Sequence, residues 1–118
     1  MNGLEVLNYD GKGYFSHFSF EEWKIAYLNH APMFTPEGIT YLEKHNKTDE
    51  VFILLEGEAT LLMGENAQEV KMEKFVSYIV KKSAWHNIMV SEDAKVLIVE
   101  NKDTGKHNSE YLPFRYEK

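Results

Sequence analysis

Cysteine is absent from the 118 residues, which excludes disulfide frameworks, thiolate zinc sites, iron–sulfur clusters and cysteine nucleophiles together. Any metal must be held by His, Asp, Glu or backbone oxygen. Arginine is limited to Arg115, against twelve lysines in a chain of net charge −6. Nucleic acid, whose phosphates select for clustered positive charge and arginine forks, is therefore not an expected partner. No apolar run approaches the ~20 residues of a membrane helix, and Met1 to Gly13 has neither the basic n-region nor the apolar h-region of a secretory signal. The expected location is cytoplasmic, with no membrane partner. No glycine-rich loop leads into a helical pattern, and no serine lies in a Gly-x-Ser-x-Gly elbow, so phosphate cradles and acyl-enzyme chemistry lose their usual signatures.

What is present is a well-supplied core, with 43% hydrophobic and 14% aromatic residues, spread over short β-type runs. Without repeats or a linker, 1–118 reads as one domain: N-terminal strands over 1–34, a core over about 35–100 and an extended arm over 101–118, either laid on the chain's own barrel or exchanged with a partner. The runs are Trp23–His30, Ile39–Asn46, Val51–Leu55, Ala59–Met63, Glu69–Glu73, Phe75–Val80, Trp85–Val90 and Ala94–Glu100. Gly57 suits a tight hairpin turn between the Val51 and Ala59 runs, and a second reversal falls at Gly64–Gln68. Ser19 and Glu22 fit a capping box for one helical turn. Roughly eight to nine strands at 8–12 residue spacing predict an all-β, antiparallel sandwich or barrel with less than about one-fifth helix. Val51–Leu55 and Val96–Val99 are apolar at every position. Strand side chains alternate between faces, so both faces need cover; the second comes from the N-terminal segment or from another subunit, and a homodimer is the expected state.

Glu43 and His45, two apart, share a strand face. Glu50 opens the next run after a turn-like stretch, and His86 follows the polar loop from Lys81 and the aromatic Trp85. If those strands are neighbours, two imidazoles and two carboxylates converge at one end of a barrel. The residues alone leave His45 open as a ligand, a metal-free pocket group or a turn histidine, and Glu50 as a ligand or a backbone hydrogen-bonding group. Tyr27, Phe52, Tyr78 and Trp85 are candidate pocket aromatics that could stack on a sugar or ring. His17, His30 and His107 have no partners in spacing and read as solvated or core histidines.

In these residues the chain resembles the cupin family. The first family motif has a glycine, a His-x-His pair, a glutamate four to five residues on and a glycine seven after it. Here stand Gly38, then Glu43-Lys44-His45, then Glu50 and Gly57. The second motif is similar at Lys81–His86, where a cupin usually shows Pro-x-Gly-x-x-His. Glu43 replaces the first histidine, and Lys81 and Ser83 replace the usual proline and glycine. The resemblance covers about residues 35–100 and implies a jelly-roll barrel, the double-stranded β-helix. It also implies a divalent metal (Fe, Mn, Ni or Zn) on His45, Glu50 and His86, the two-His-one-carboxylate set; Glu43 either completes that set or points away from it, and in an enzyme it is the candidate general base.

The expected function is a metal-assisted, small-molecule-binding barrel whose ligand is polar, such as a sugar. Isomerase, epimerase and oxygenase-like chemistry are all compatible with the family, and whether the chain is an enzyme stays open because fold does not select a reaction. The alternative is a metal-free binding or sensing module using the same residues as hydrogen-bonding groups. Either way, His45, Glu50 and His86 are expected within about 5 Å of one another, the reach that ~2.0–2.2 Å bonds to a shared metal permit.

Overall fold

In a computed structural model, which describes residues 2–117, ten strands account for the regular structure. They are β1 (Tyr14–Phe20), β2 (Trp23–Asn29), β3 (Tyr41–His45), β4 (Glu50–Glu56), β5 (Ala59–Met63), β6 (Gln68–Lys71), β7 (Ser77–Val80), β8 (His86–Val90), β9 (Lys95–Asn101) and β10 (Ser109–Pro113). Two sheets form, in the orders β1-β2-β9-β4-β7 and β10-β3-β8-β5-β6. Their strands pair antiparallel throughout. Helix among the described residues is limited to two three-residue 3-10 turns, Pro32–Phe34 and Lys106–Asn108. None is long and apolar enough to cross a membrane. The expected all-β jelly roll is what the chain forms.

Period-2 patterning puts the core between the sheets. Across the first sheet, Leu28, Val96 and Leu54 are paired in one inward row and Ala26, Ile98 and Phe52 in the next. All six are buried, and Leu61, Ile88 and Val90 of the second sheet pack against them. The next inward row is not apolar: Lys24 pairs with Glu100, and Glu100 with Glu50. On the second sheet, Glu43 pairs with His86. The sandwich is thus apolar along most of its depth and polar at one end, and that end holds the candidate site.

The C-terminal arm lies on its own barrel. β10 pairs with β3, and Leu112, Phe114 and Tyr116 cover Ile39, Leu42, Leu62 and Met89 on the outer face of the second sheet. Both sides of β8 are buried in consequence. Among the described residues the outer face of the first sheet has no such cover over β4 and β9; the N-terminal segment reaches it at β1, where Tyr9 stacks on Phe15 at 4.8 Å. Val51, Ile53, Leu97, Val99, Ile25 and Tyr27 remain half-buried there, with Ile79 at 49% exposure beside them.

Two local expectations are corrected. The Val51 and Ala59 runs do not pair as a hairpin: β9 and β7 already occupy both edges of β4, so after Glu56 the chain crosses to the other sheet. Gly57 makes that corner at φ +74, and a Cβ there would come within 2.7 Å of Ala94 Cα, Asp93 Oδ1 and Ser91 Oγ. The corner leaving β8 lies against it: Glu58 N donates to Ser91 Oγ at 2.8 Å and Ser91 N to Glu58 O at 2.9 Å. Nor does Ser19 cap a helical turn. β1 and β2 are paired from Tyr14–Leu28 to Phe20–Trp23, and the reversal uses Glu21 at φ 52; cross-strand pairing outweighs one isolated turn, whose nucleation is unfavourable. The reversal after Gly64 is a true hairpin, joining β5 to β6.

Candidate metal centre

The first-motif turn and the second-motif loop are fastened together, and this brings four chemistry-bearing side chains to one point. Lys81 Nζ and Lys82 N both donate to the Asp49 carboxylate, at 2.6 and 2.9 Å. Ser83 N donates to His45 O at 2.8 Å. Ser83 reaches that bond at φ 65, the left-handed region that glycine adopts without steric penalty. The residue standing where a cupin usually has glycine thus keeps the glycine conformation. Three residues on, His86 enters β8 opposite Glu43.

His45 Nε2 lies 3.3 Å and His86 Nε2 3.2 Å from the same atom, Glu50 Oε1. Glu43 Oε1 is 4.0 Å from His45 Nε2, and the imidazole centroids are 5.3 Å apart. Glu43, His45 and His86 each offer one ligand atom, all within 4.8 Å of one another, a group able to hold a metal ion.

The outer nitrogens fix what the inner ones present. Ser109 Oγ donates its proton to Gly105 O at 2.6 Å. It is therefore the acceptor in its 2.7 Å contact with His45 Nδ1, which must carry the proton. His86 Nδ1 faces Ala84 O at 2.9 Å; a carbonyl only accepts, so that nitrogen is protonated as well. Each neutral imidazole consequently turns an Nε2 lone pair toward Glu50. Glu50 Oε1 and His86 Nε2 are buried and have no hydrogen-bond partner of proper geometry despite their 3.2 Å separation. Two lone pairs aimed at a carboxylate are stable only with a cation or a proton among them. The donor set therefore fits a divalent ion, and the oxygens of Ser109 and Ala84 hold both histidines in the orientation that metal-binding imidazoles require.

Charges around the point respond accordingly. Burial is the largest influence on Glu50 and pushes its pKa up, but the two imidazoles together outweigh it and hold the carboxyl at about 2. Burial pulls His45 and His86 down, and Glu50 and Glu43 more than offset this, so both end above the ordinary value. Glu43 is raised, by burial first. On β9, burial and then the neighbouring Glu50 carboxylate lift Glu100 to about 8. Tyr14 OH donates to Glu100 Oε2 at 2.9 Å.

These groups open onto a cavity of about 520 Å³, within the usual range for small-molecule sites. Of the pocket aromatics expected from sequence, Phe52 lines it, its ring 6.1 Å from that of His86. The other three are not among its lining residues. Tyr27 faces outward on β2 and packs against His17, the two rings tilted with centres 4.8 Å apart. Tyr78 packs against the core and accepts from Glu73 N at 2.8 Å. Trp85 lies over the outer cluster of the second sheet, with Lys44 Nζ 4.7 Å from its ring centre. The aromatics that do line the cavity include Tyr14, Phe34, Tyr41 and Tyr111. His17, His30 and His107 are not among the lining residues. Sequence reasoning also missed Lys24 and Glu100, whose signal was parity: Lys24 shares it with Ala26 and Leu28, Glu100 with Val96 and Ile98.

No family model matches the chain, and no curated protein does. Solved structures are similar over most of its length. The Streptomyces nucleoside dehydratase Pac13 superposes with a TM-score of 0.67 at 6% identity, over 86% of this chain and 78% of its own, and has been solved with uridine. A cupin-2 domain protein of Shewanella frigidimarina gives 0.62 at 19% identity, over 80% and 85%. HppE, in its FeII form, gives 0.56 at 13% identity, over 86% and 62%. At these identities the likeness bears on the fold, and joined to the two five-stranded antiparallel sheets it makes this chain a cupin-fold protein.

Proposed function

We propose that this chain binds a small polar molecule in the cavity, on a divalent metal held by Glu43, His45, Glu50 and His86. The observation that carries the reading is the convergence of two imidazole Nε2 atoms on Glu50 Oε1, at 3.3 and 3.2 Å, with their Nδ1 atoms engaged elsewhere. Glu43 enters as a ligand in this reading because its carboxylate belongs to the group within 4.8 Å, and it is also the candidate general base beside the bound molecule. Such an ion supplies Lewis acidity to a bound oxygen. The chain's own residues exclude water on one side with Phe52, Ile88 and Ile98 and orient the imidazoles through Ser109 and Ala84. Untagged protein is expected to take up one Mn, Fe, Ni or Zn ion per chain in elemental analysis, and His86→Ala to take up none. Wild-type protein that stays metal-free after dialysis against each of these ions would overturn it.

A second reading has its own support. The raised His45 and His86 and the lowered Glu50 describe an imidazolium–carboxylate cluster that is stable without metal. In that case the same residues bind the ligand directly, and a nucleoside, as in the uridine complexes of Pac13, is a ligand of suitable size.

The uncovered outer face of the first sheet belongs to this proposal too. Large apolar patches are uncommon on monomers, and Val51, Ile53, Leu97 and Val99 form a contiguous one across β4 and β9. A homodimer through this face is the expected state. Ile53→Lys should convert it to monomer in sedimentation analysis; a wild-type monomer at micromolar concentration would remove the idea.

A further inference from the structure

Lys24 is the one lysine on an inward-facing row of β2, following Leu28 and Ala26 toward the open end. It lines the cavity. Its amine donates to Thr104 O at 3.0 Å, and no carboxylate among the described residues comes within ion-pair distance of it. An ammonium has three donors, so two are left for something else. The hydroxyl of Thr104 is also unused: the residue is 9% exposed, its Oγ1 is buried, and it has no hydrogen-bond partner. Glu100, opposite Lys24 on β9, acts on this amine through space without closing an ion pair with it, so the three donors are not taken up by a carboxylate. A buried hydroxyl without a partner is costly, and Lys24 and Thr104 line the same cavity. Lys106, two residues past Thr104, and Lys12 line the same cavity. The loop that carries Thr104 is tied to the metal-binding end through Gly105 O, Ser109 Oγ and His45 Nδ1.

We propose that Lys24, Thr104 and Lys106 form a second subsite that takes an anionic group, phosphate or carboxylate, of the molecule bound in the cavity. This rests on the ligand-binding reading above. It narrows the ligand to a small polar molecule with a negative end on the lysines and oxygen functions toward His45 and His86. In a chain of net charge −6, such a site must be local, because long-range attraction would favour cations.

The test is a calorimetric titration of full-length protein, metal-loaded and metal-free, with matched probes. These are uridine against uridine 5′-monophosphate, and glucose against glucose 6-phosphate and glucuronate, the last two separating phosphate from carboxylate. At least one anionic probe should bind about tenfold or more tightly than its neutral counterpart, as a charge-assisted hydrogen bond provides. Lys24→Met should abolish the preference, Lys24→Arg retain it, and Thr104→Val weaken it. In metal-free protein, inorganic phosphate should shift the amide resonances of Thr104, Gly105 and Lys106. Metal uptake should be unchanged in all three variants, which serves as the folding control. Equal binding of neutral and anionic probes, no binding of any probe, or a preference surviving Lys24→Met would overturn the subsite. If Lys24→Met does not fold, Thr104→Val and the phosphate shifts decide it. Failed metal uptake with an intact anion preference would remove the metal centre and leave the subsite standing; metal uptake without preference would do the reverse.

Discussion

Glu100→Gln is expected to leave stability unchanged near pH 4 and to raise it by several kcal/mol at pH 8 to 9, in metal-free protein. Folded Glu100 is held to about 8 by burial and then by Glu50, against an ordinary value of 4.5. Between those limits the folded state binds a proton that the unfolded state has released. Stability contributed by that proton is complete below pH 4.5 and lost as pH rises through 8, a loss on the order of 5 kcal/mol at most. Glutamine cannot ionise and reproduces the protonated acid, its amide donating toward Glu50 while its oxygen accepts from Tyr14 OH. Denaturant unfolding at intervals from pH 4 to 9 measures this directly. Parallel curves for variant and wild type would mean that Glu100 is ionised in the fold.

That acid also shows where the sequence stopped being legible. Val96–Val99 reads as an apolar run, and only strand parity separates Val96, Ile98 and Glu100, facing in, from Leu97 and Val99, facing out. Parity within a strand is written in the sequence; which parity is inside depends on neighbouring strands. Tyr27 was therefore as good a pocket candidate as Lys24 until β2 took its place beside β9. Trp85 precedes β8, so alternation could not orient it at all. The convergence of His45, Glu50 and His86 was legible for the opposite reason. Their spacing places them at the strand ends that border one turn and one loop, and Asp49 and Ser83 then clamp that turn to that loop. The turn at Gly57 was visible as a turn, but not as a corner between sheets, because pairing with β9 and β7 is decided by residues far away in the chain.

Glu50→Gln should destabilise metal-free protein by about 3–5 kcal/mol near pH 5.5, the range found when one partner of a buried ion pair is removed. Folded His45 and His86 titrate above their ordinary 6.5. Their share of the stabilisation is complete below 6.5 and lost as pH rises through the raised values. Folded Glu50 titrates at about 2 against an ordinary 4.5, so its share is present above 4.5 and lost as pH falls through 2. These are two views of one cluster, strongest between pH 4.5 and 6.5. As pH rises through the raised imidazole values the rings lose their protons, their Nε2 lone pairs face the carboxylate, and a glutamine amide there can donate where the carboxylate repels. The deficit of the variant should shrink as pH rises toward 9. A divalent ion reverses this ranking, because it takes the place of the protons and binds better as the histidines deprotonate. Wild type should therefore regain stability at pH 9 with a divalent ion present, by an amount that grows with its concentration, whereas Glu50→Gln should gain much less. Unfolding curves at pH 5.5 and 9, with chelator and with ion, separate the two readings of the site. Recovery by the ion points to a metal centre, and a pH-dependent deficit with no response to any ion points to an imidazolium–carboxylate pocket.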